Sequence, residues 1–200
     1  MKRVVVAIIA ALLCLDVALA LGVIGPAAHA DAPTVAVRAI PRATTTSSPT
    51  TTTTIPVDEP VAPPKQAYAP EPIVTIGQIE IPKLGLNAPL GEGISLNNID
   101  RGPSHWPGTA LPGRLGNMVI AGHRVTHTHP FLHLDSLVPG DEVFVDYQGQ
   151  RYRYVVTGSE VVTPNQVSIV NQTADATGTL FACHPPHSAR YRFVVHLKLT

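Results

Sequence analysis

The chain has 200 residues, with 14 Lys plus Arg against 14 Asp plus Glu, for a formal net charge of +0. That balance, with no basic cluster beyond the N-terminus, excludes nucleic acid as a partner, because phosphates demand a basic footprint. The two cysteines are Cys14, inside an N-terminal apolar run, and Cys183, so no disulfide can form within the region that folds.

Lys2 and Arg3 precede an apolar run from Val4 to Gly25, interrupted by Asp16. The run is about 22 residues long, enough to span a bilayer. Basic residues ahead of it place everything that follows outside the cell. Residues 1–30 are therefore expected to be a signal-anchor or transmembrane segment of a single-pass cell-membrane protein with an extracytoplasmic domain. Ala28-His29-Ala30 has the small-x-small form of a peptidase site, so secretion after cleavage following Ala30 is the alternative. Residues 31–72 are rich in Pro and Thr, with Thr50 to Thr54 in a row. Prolines block regular pairing there, which predicts a disordered linker or stalk.

From residue 73 to residue 200 strand signals dominate. Ile73 to Ile81 reads as a strand that stops at Pro82, and Leu84 to Leu90 as a second. Ser95 to Ile99 is a candidate helical turn, and Gly102 to Gly116 a loop rich in Gly and Pro. Asn117 to Ala121 is a short buried strand. Pro130 to Leu137 reads as one helical turn. Glu142 to Tyr147 and Gln150 to Thr157 form a hairpin about Gln148-Gly149. Glu160 to Thr163, Gly178 to Cys183 and Tyr191 to Leu199 complete the set. Many short strands and no long amphipathic helix predict an all-β fold, a small β-barrel.

The last two strands also predict a site. Tyr191, Phe193, Val195, Leu197 and Leu199 share one face, and Arg192, Val194, His196 and Lys198 the other. In the strand before, Leu180 and Ala182 share a face, with Thr179, Phe181 and Cys183 opposite. An antiparallel hairpin brings Cys183 and Arg192 together at its loop end. His123 follows the strand at 117–121, and parity alone does not place it. A thiol, an imidazole and a guanidinium suffice for acyl transfer without metal or cofactor. Arg190 has the same parity as Arg192 and is the competing guanidinium.

On these residues the segment from Ile73 to Thr200 resembles the sortases, cysteine transpeptidases of Gram-positive bacteria. The likeness is carried by Gly116-Asn117 leading into Ala121-Gly122-His123-Arg124, by Thr179-Leu180 before Cys183, and by Arg192 followed by Phe193-Val194-Val195. Pro107-Gly108-Thr109, Cys183-His184-Pro185 and Ser188-Ala189-Arg190 are most similar to class E, the housekeeping type of high-GC species. The resemblance implies an eight-stranded sortase-type barrel with one or two short helical turns. It implies His123, Cys183 and Arg192 as catalytic residues, with Thr179, Leu180 and Ala182 on the substrate. It implies cleavage of a Leu-Pro-x-Thr-Gly-like or Leu-Ala-x-Thr-Gly-like sorting signal between Thr and Gly, through a thioacyl-enzyme. The expected partners are surface proteins bearing that signal, a peptidoglycan precursor or other amine acceptor, and the membrane through the N-terminal helix. The family pattern Thr-Leu-x-Thr-Cys has Thr where Ala182 stands here, which reads as a hydroxyl missing from the site.

The histidines support a rival reading. His123, His127, His129 and His133 lie close together, and His184 and His187 flank the thiol, as a metal-binding exported domain would arrange them. No pair has a recognised zinc-site context, so no metal and no cofactor is assigned. Asp135, Asp141, Glu142 and Glu160 are read as solvated loop charges rather than calcium ligands.

Overall fold

Ile79 and Ile81 are fully buried, Glu80 between them is half-buried and Gln78 before them is exposed, the two-residue period of a strand with one face on a core. They belong to β1 (Val74–Ile81), the first strand of a closed eight-stranded barrel. The computed structural model describes residues 59–200, so the expected membrane segment at 1–30 and most of the expected linker lie outside the described residues. Among the described residues, no helix is long and apolar enough to cross a membrane.

The other strands are β2 (Leu86–Glu92), β3 (Ser104–His105), β4 (Gly116–Ala121), β5 (Glu142–Tyr147), β6 (Gln150–Val162), β7 (Ala176–His184) and β8 (Tyr191–Leu199). Around the barrel they run β1-β2-β3-β4-β7-β8-β6-β5, and antiparallel pairing of β1 with β5 closes the ring. Two contacts are parallel, β2 with β3 and β4 with β7. Ile79, Leu90, Ile120, Val145, Leu180 and Leu197 meet inside as part of one apolar cluster. Burying each such side chain is worth roughly 1.5–3 kcal/mol.

Local chemistry explains where strands begin and end. β2 starts at Leu86 rather than at Leu84, because Pro82–Leu84 form a 3₁₀ turn closed by Gly85 at φ 62°. The hairpin joining β5 to β6 turns on Gln148 at φ 49° and Gly149 at φ 77°. Two successive positive φ values match the right-handed twist of the strands they join. The expected short strand at 160–163 is instead the end of β6, which continues past a register shift between Val156 and Gly158. The shift lets one strand pair β5 with its first half and β8 along most of its length. The helical turn α1 (Leu96–Ile99) lies where the sequence predicts one.

The barrel-associated region extends back to Glu59, into the segment read as linker. The Trp106 indole N–H donates to the Val61 carbonyl at 2.8 Å, and the Leu96 amide donates to the Ala67 carbonyl at 2.7 Å. The Glu71 carboxylate accepts from the Ser95 amide at 2.7 Å and from the Asn98 side chain at 3.0 Å. Residues 59–72 thus hold α1 and the start of the β3–β4 connection against the barrel.

Candidate active site

The end of the β7–β8 hairpin forms the floor of the site. Its register makes Cys183 and Arg192 direct antiparallel partners, so both side chains leave the same, outer face of the barrel. Cys183 is a half-buried free thiol. Arg192 is held by its own loop: Nη1 donates to the Ala189 carbonyl at 2.9 Å and the Tyr191 carbonyl at 3.0 Å. Its Nε and Nη2 have no protein partner among the described residues. Arg190 is exposed and lies over the Tyr191 ring, 5.4 Å from its centroid, off the strand that carries Arg192.

β4 delivers the imidazole. Its parallel register with β7 runs from Gly116 opposite Ala176 to Ala121 opposite Phe181, and the Gly122 amide continues it by donating to the Phe181 carbonyl at 3.2 Å. His123 and Cys183 each lie two residues past the last paired positions of this ladder, Ala121 and Phe181. Gly122 is required at this corner, since a Cβ there would meet the buried Phe131 ring at 2.6 Å. The Phe131 amide in turn donates to the His123 carbonyl at 3.1 Å. Arg124, 2 % exposed, pins the following loop: Nε donates to the Leu132 carbonyl at 2.7 Å and Nη2 pairs with Asp135 at 2.8 Å.

One carboxylate organises the histidines. His123 Nε2 lies 2.6 Å from Asp100 Oδ1, with the two side chains only 16 % and 18 % exposed. The Tyr68 hydroxyl donates to the other oxygen of Asp100 at 3.3 Å. The His123 Nδ1 has no protein partner among the described residues. His127 Nε2 approaches the same Asp100 oxygen at 3.3 Å, and its ring stacks on His123 with centroids 5.0 Å apart. Asp100 escaped the sequence reading. It lies 23 positions before His123, and only the fold of α1 turns it toward the imidazole.

A groove of about 360 Å³ lies on the outer face further back along β7, and Cys183, His123 and Arg192 are not among its lining residues. Thr177, Thr179 and His196 line it from the sheet, and residues 168–173 form a wall. Thr179 lies four positions along β7 from Cys183, roughly 13 Å at strand rise. Its hydroxyl donates to Asn117 Oδ1 at 2.9 Å. Leu180 and Ala182, expected on the substrate, are corrected here. They are 0 % and 2 % exposed and belong to the barrel core, because strand alternation turns them inward. Only their backbone borders the outer face. The residue at position 182 therefore affects core packing, and Ala182 takes no side-chain hydroxyl away from the groove.

Of the six crowded histidines, the structure brings two, His123 and His127, to a shared carboxylate. His129 is engaged by its Nδ1 with the His127 carbonyl at 3.0 Å. The four acids weighed as calcium ligands each pair with a cationic or imidazole group: Asp135 with Arg124, Asp141 with Lys83, Glu142 with Arg153 and Glu160 with His196.

The family model described as Sortase domain matches residues 79–200. Sortase SrtE1 of Streptomyces coelicolor is 34 % identical over 145 residues, covering 64 % of this chain and 41 % of that protein. Sortase A of Listeria monocytogenes is 27 % identical, covering 60 % of this chain and 54 % of its own. The chain thus spans about half the length of the curated relatives it matches. Among solved structures, Sortase E1 from Streptomyces coelicolor with a tripeptide in the active site superposes with a TM-score of 0.59 at 30 % identity, covering 63 % of this chain and 88 % of the other. Clostridium perfringens Sortase D5 transpeptidase gives a TM-score of 0.59 at 30 % identity, covering 63 % and 79 %.

Proposed function

The chain belongs to the sortase family, most like class E, and from that premise we propose that it is a cysteine transpeptidase using Cys183, His123 and Arg192. The observation that carries the reading is one of register. Cys183 lies opposite Arg192 across β7–β8, and His123 follows β4 two residues past the end of its parallel ladder with β7, which supports a common site.

A sorting-signal peptide lies extended along the outer face of β7, with its Leu toward Thr179 and its Thr carbonyl at Cys183. Four extended residues span roughly 13 Å, which matches that separation. The Cys183 thiolate adds to the Thr carbonyl. The Arg192 donors not held by Ala189 and Tyr191 bind the oxyanion as it forms. The Thr–Gly C–N bond then breaks, and imidazolium His123 gives its Nδ1 proton to the leaving Gly amine. An amine attacks the resulting thioacyl carbon, neutral His123 takes a proton from it, and the Cys183 thiolate departs. Asp100 keeps His123 oriented throughout by accepting its Nε2–H. The acceptor amine belongs to a peptidoglycan precursor, and the substrates are surface proteins bearing the signal. The basic and apolar residues of segment 1–30 support a cell-membrane anchor with this domain outside.

The test is incubation of the purified full chain with Leu-Pro-x-Thr-Gly and Leu-Ala-x-Thr-Gly peptides and an amine, followed by mass spectrometry. The expected result is a joined product and a thioacyl adduct on Cys183 with at least one peptide. Absence of both, from mildly acid to mildly alkaline pH, would overturn the reading.

A further inference from the structure

We propose that Asp100, His123 and His127 form an inhibitory Zn²⁺ site, so that extracellular zinc switches this enzyme off by capturing its histidine. The inhibition rests on the reading of His123 as the proton-transfer group, whereas zinc binding itself does not.

The donor set argues for it first. One ligand atom from each of the three residues can be drawn so that all lie within 4.8 Å of one another. Both imidazole Nε2 atoms approach one oxygen, Asp100 Oδ1, at 2.6 and 3.3 Å. Two imidazoles and a carboxylate are a zinc donor set, with bonds of about 2.0–2.2 Å and a fourth position left for water. Converging on a cation requires only small rotations of side chains already turned toward one point.

His127 has no other duty to explain its placement. It is exposed, so an ion reaches it from solvent, and its backbone sits at φ 52°, a left-handed conformation uncommon outside glycine. From there its ring stacks on His123, and its Nε2 joins an acceptor that His123 already occupies. The remaining histidines of the crowded segment do not share this point.

The consequence follows from where the ring proton goes. Without metal, Asp100 accepts the Nε2–H of neutral His123, and Nδ1 is the free lone pair. With Zn²⁺ on Nε2, the ring carries its proton on Nδ1. The nitrogen that must accept a proton from the incoming amine is then already protonated. The metal also replaces the hydrogen bond that orients the ring. Zinc therefore acts as a competitor of the working proton arrangement and is neither cofactor nor structural staple.

The probe is Zn²⁺ alone, titrated calorimetrically into the full chain, into Cys183→Ala and into His127→Asn. Asn is chosen because it tolerates the left-handed backbone of position 127. The expected result is one zinc bound by wild type and by Cys183→Ala, with affinity at least about 100-fold weaker in His127→Asn, since losing a ligand costs more than losing an outer-shell partner. In transpeptidation, His127→Asn keeps zinc-free activity, and its zinc inhibition curve moves by the same factor. Chelation restores wild-type activity. Loss of binding in Cys183→Ala with none in His127→Asn would show ordinary capture by the thiolate and overturn the proposal, as would no stoichiometric binding by wild type. Because calorimetry needs no turnover, a chain that binds zinc at these residues yet joins no peptides would count against the transpeptidase reading alone.

Discussion

Removing the Asp100 carboxylate isolates what the carboxylate does for His123. The hydrogen bond is 2.6 Å long, charge-assisted, and shielded, its partners being 16 % and 18 % exposed. A bond of this kind contributes about 1.5–3 kcal/mol, well above an exposed ion pair. At about 1.36 kcal/mol per factor of ten, Asp100→Ala should lower kcat/KM by about 10- to 150-fold. Asp100→Asn, which keeps an acceptor but not the charge, should fall between it and wild type. Asp100 bonds the imidazole and lies behind it, so the loss should appear in kcat with KM little changed. Nitrogen NMR of His123 supplies a readout that mere loosening of the fold would not move: an Nε2–H tautomer in wild type and a mixture in Asp100→Ala. Activity of Asp100→Ala within about twofold of wild type, with an unchanged tautomer, would refute the orientation argument.

Arg192→Lys should reduce kcat/KM by about 100- to 1000-fold, because an ammonium lacks the planar fork that lets one nitrogen be anchored on the Ala189 and Tyr191 carbonyls while the others reach outward to an oxyanion. Arg190→Ala should stay within about twofold, and peptide-joining rates of the two variants decide between the arginines. For Glu71, burial alone would raise the carboxyl, but hydrogen bonds from the Ser95 amide, the Asn98 side chain and the Ile94 amide outweigh it and hold it below its ordinary 4.5. A depressed carboxylate stabilises the fold above that value, and the contribution is lost as pH falls through the lowered one. Amide exchange in residues 66–69 and 94–98 should therefore quicken in acid. Glu71→Gln should show that looseness already at neutral pH, by about 1 kcal/mol after discounting for partial exposure, and little acid dependence.

Local sequence carried a large part of the fold. β8 alternates cleanly enough to assign every side chain to a face, and Gln148-Gly149 marks the β5–β6 hairpin because few residues accept positive φ values. Cys183 and Arg192 were legible as neighbours from parity plus one short connection, with Arg190 of the same parity left in competition until the β7–β8 register paired Arg192 with Cys183. β3 was not, since two residues show no period, and its pairing depends on β2 and β4 already being in place. The continuity of β6 was also hidden, because Gly158 reads as a break in the sequence and acts as a bend in the barrel.

The sequence by itself thus determined most of the strands, the nearness of the thiol to a guanidinium and the family likeness, all set by neighbours close along the chain. Only the tertiary structure decided that the strand ahead of His123 pairs in parallel with the strand carrying Cys183, some 60 residues away. It alone brought Asp100 and His127 to His123. Such contacts depend on the closure of the whole barrel, and no local period records them.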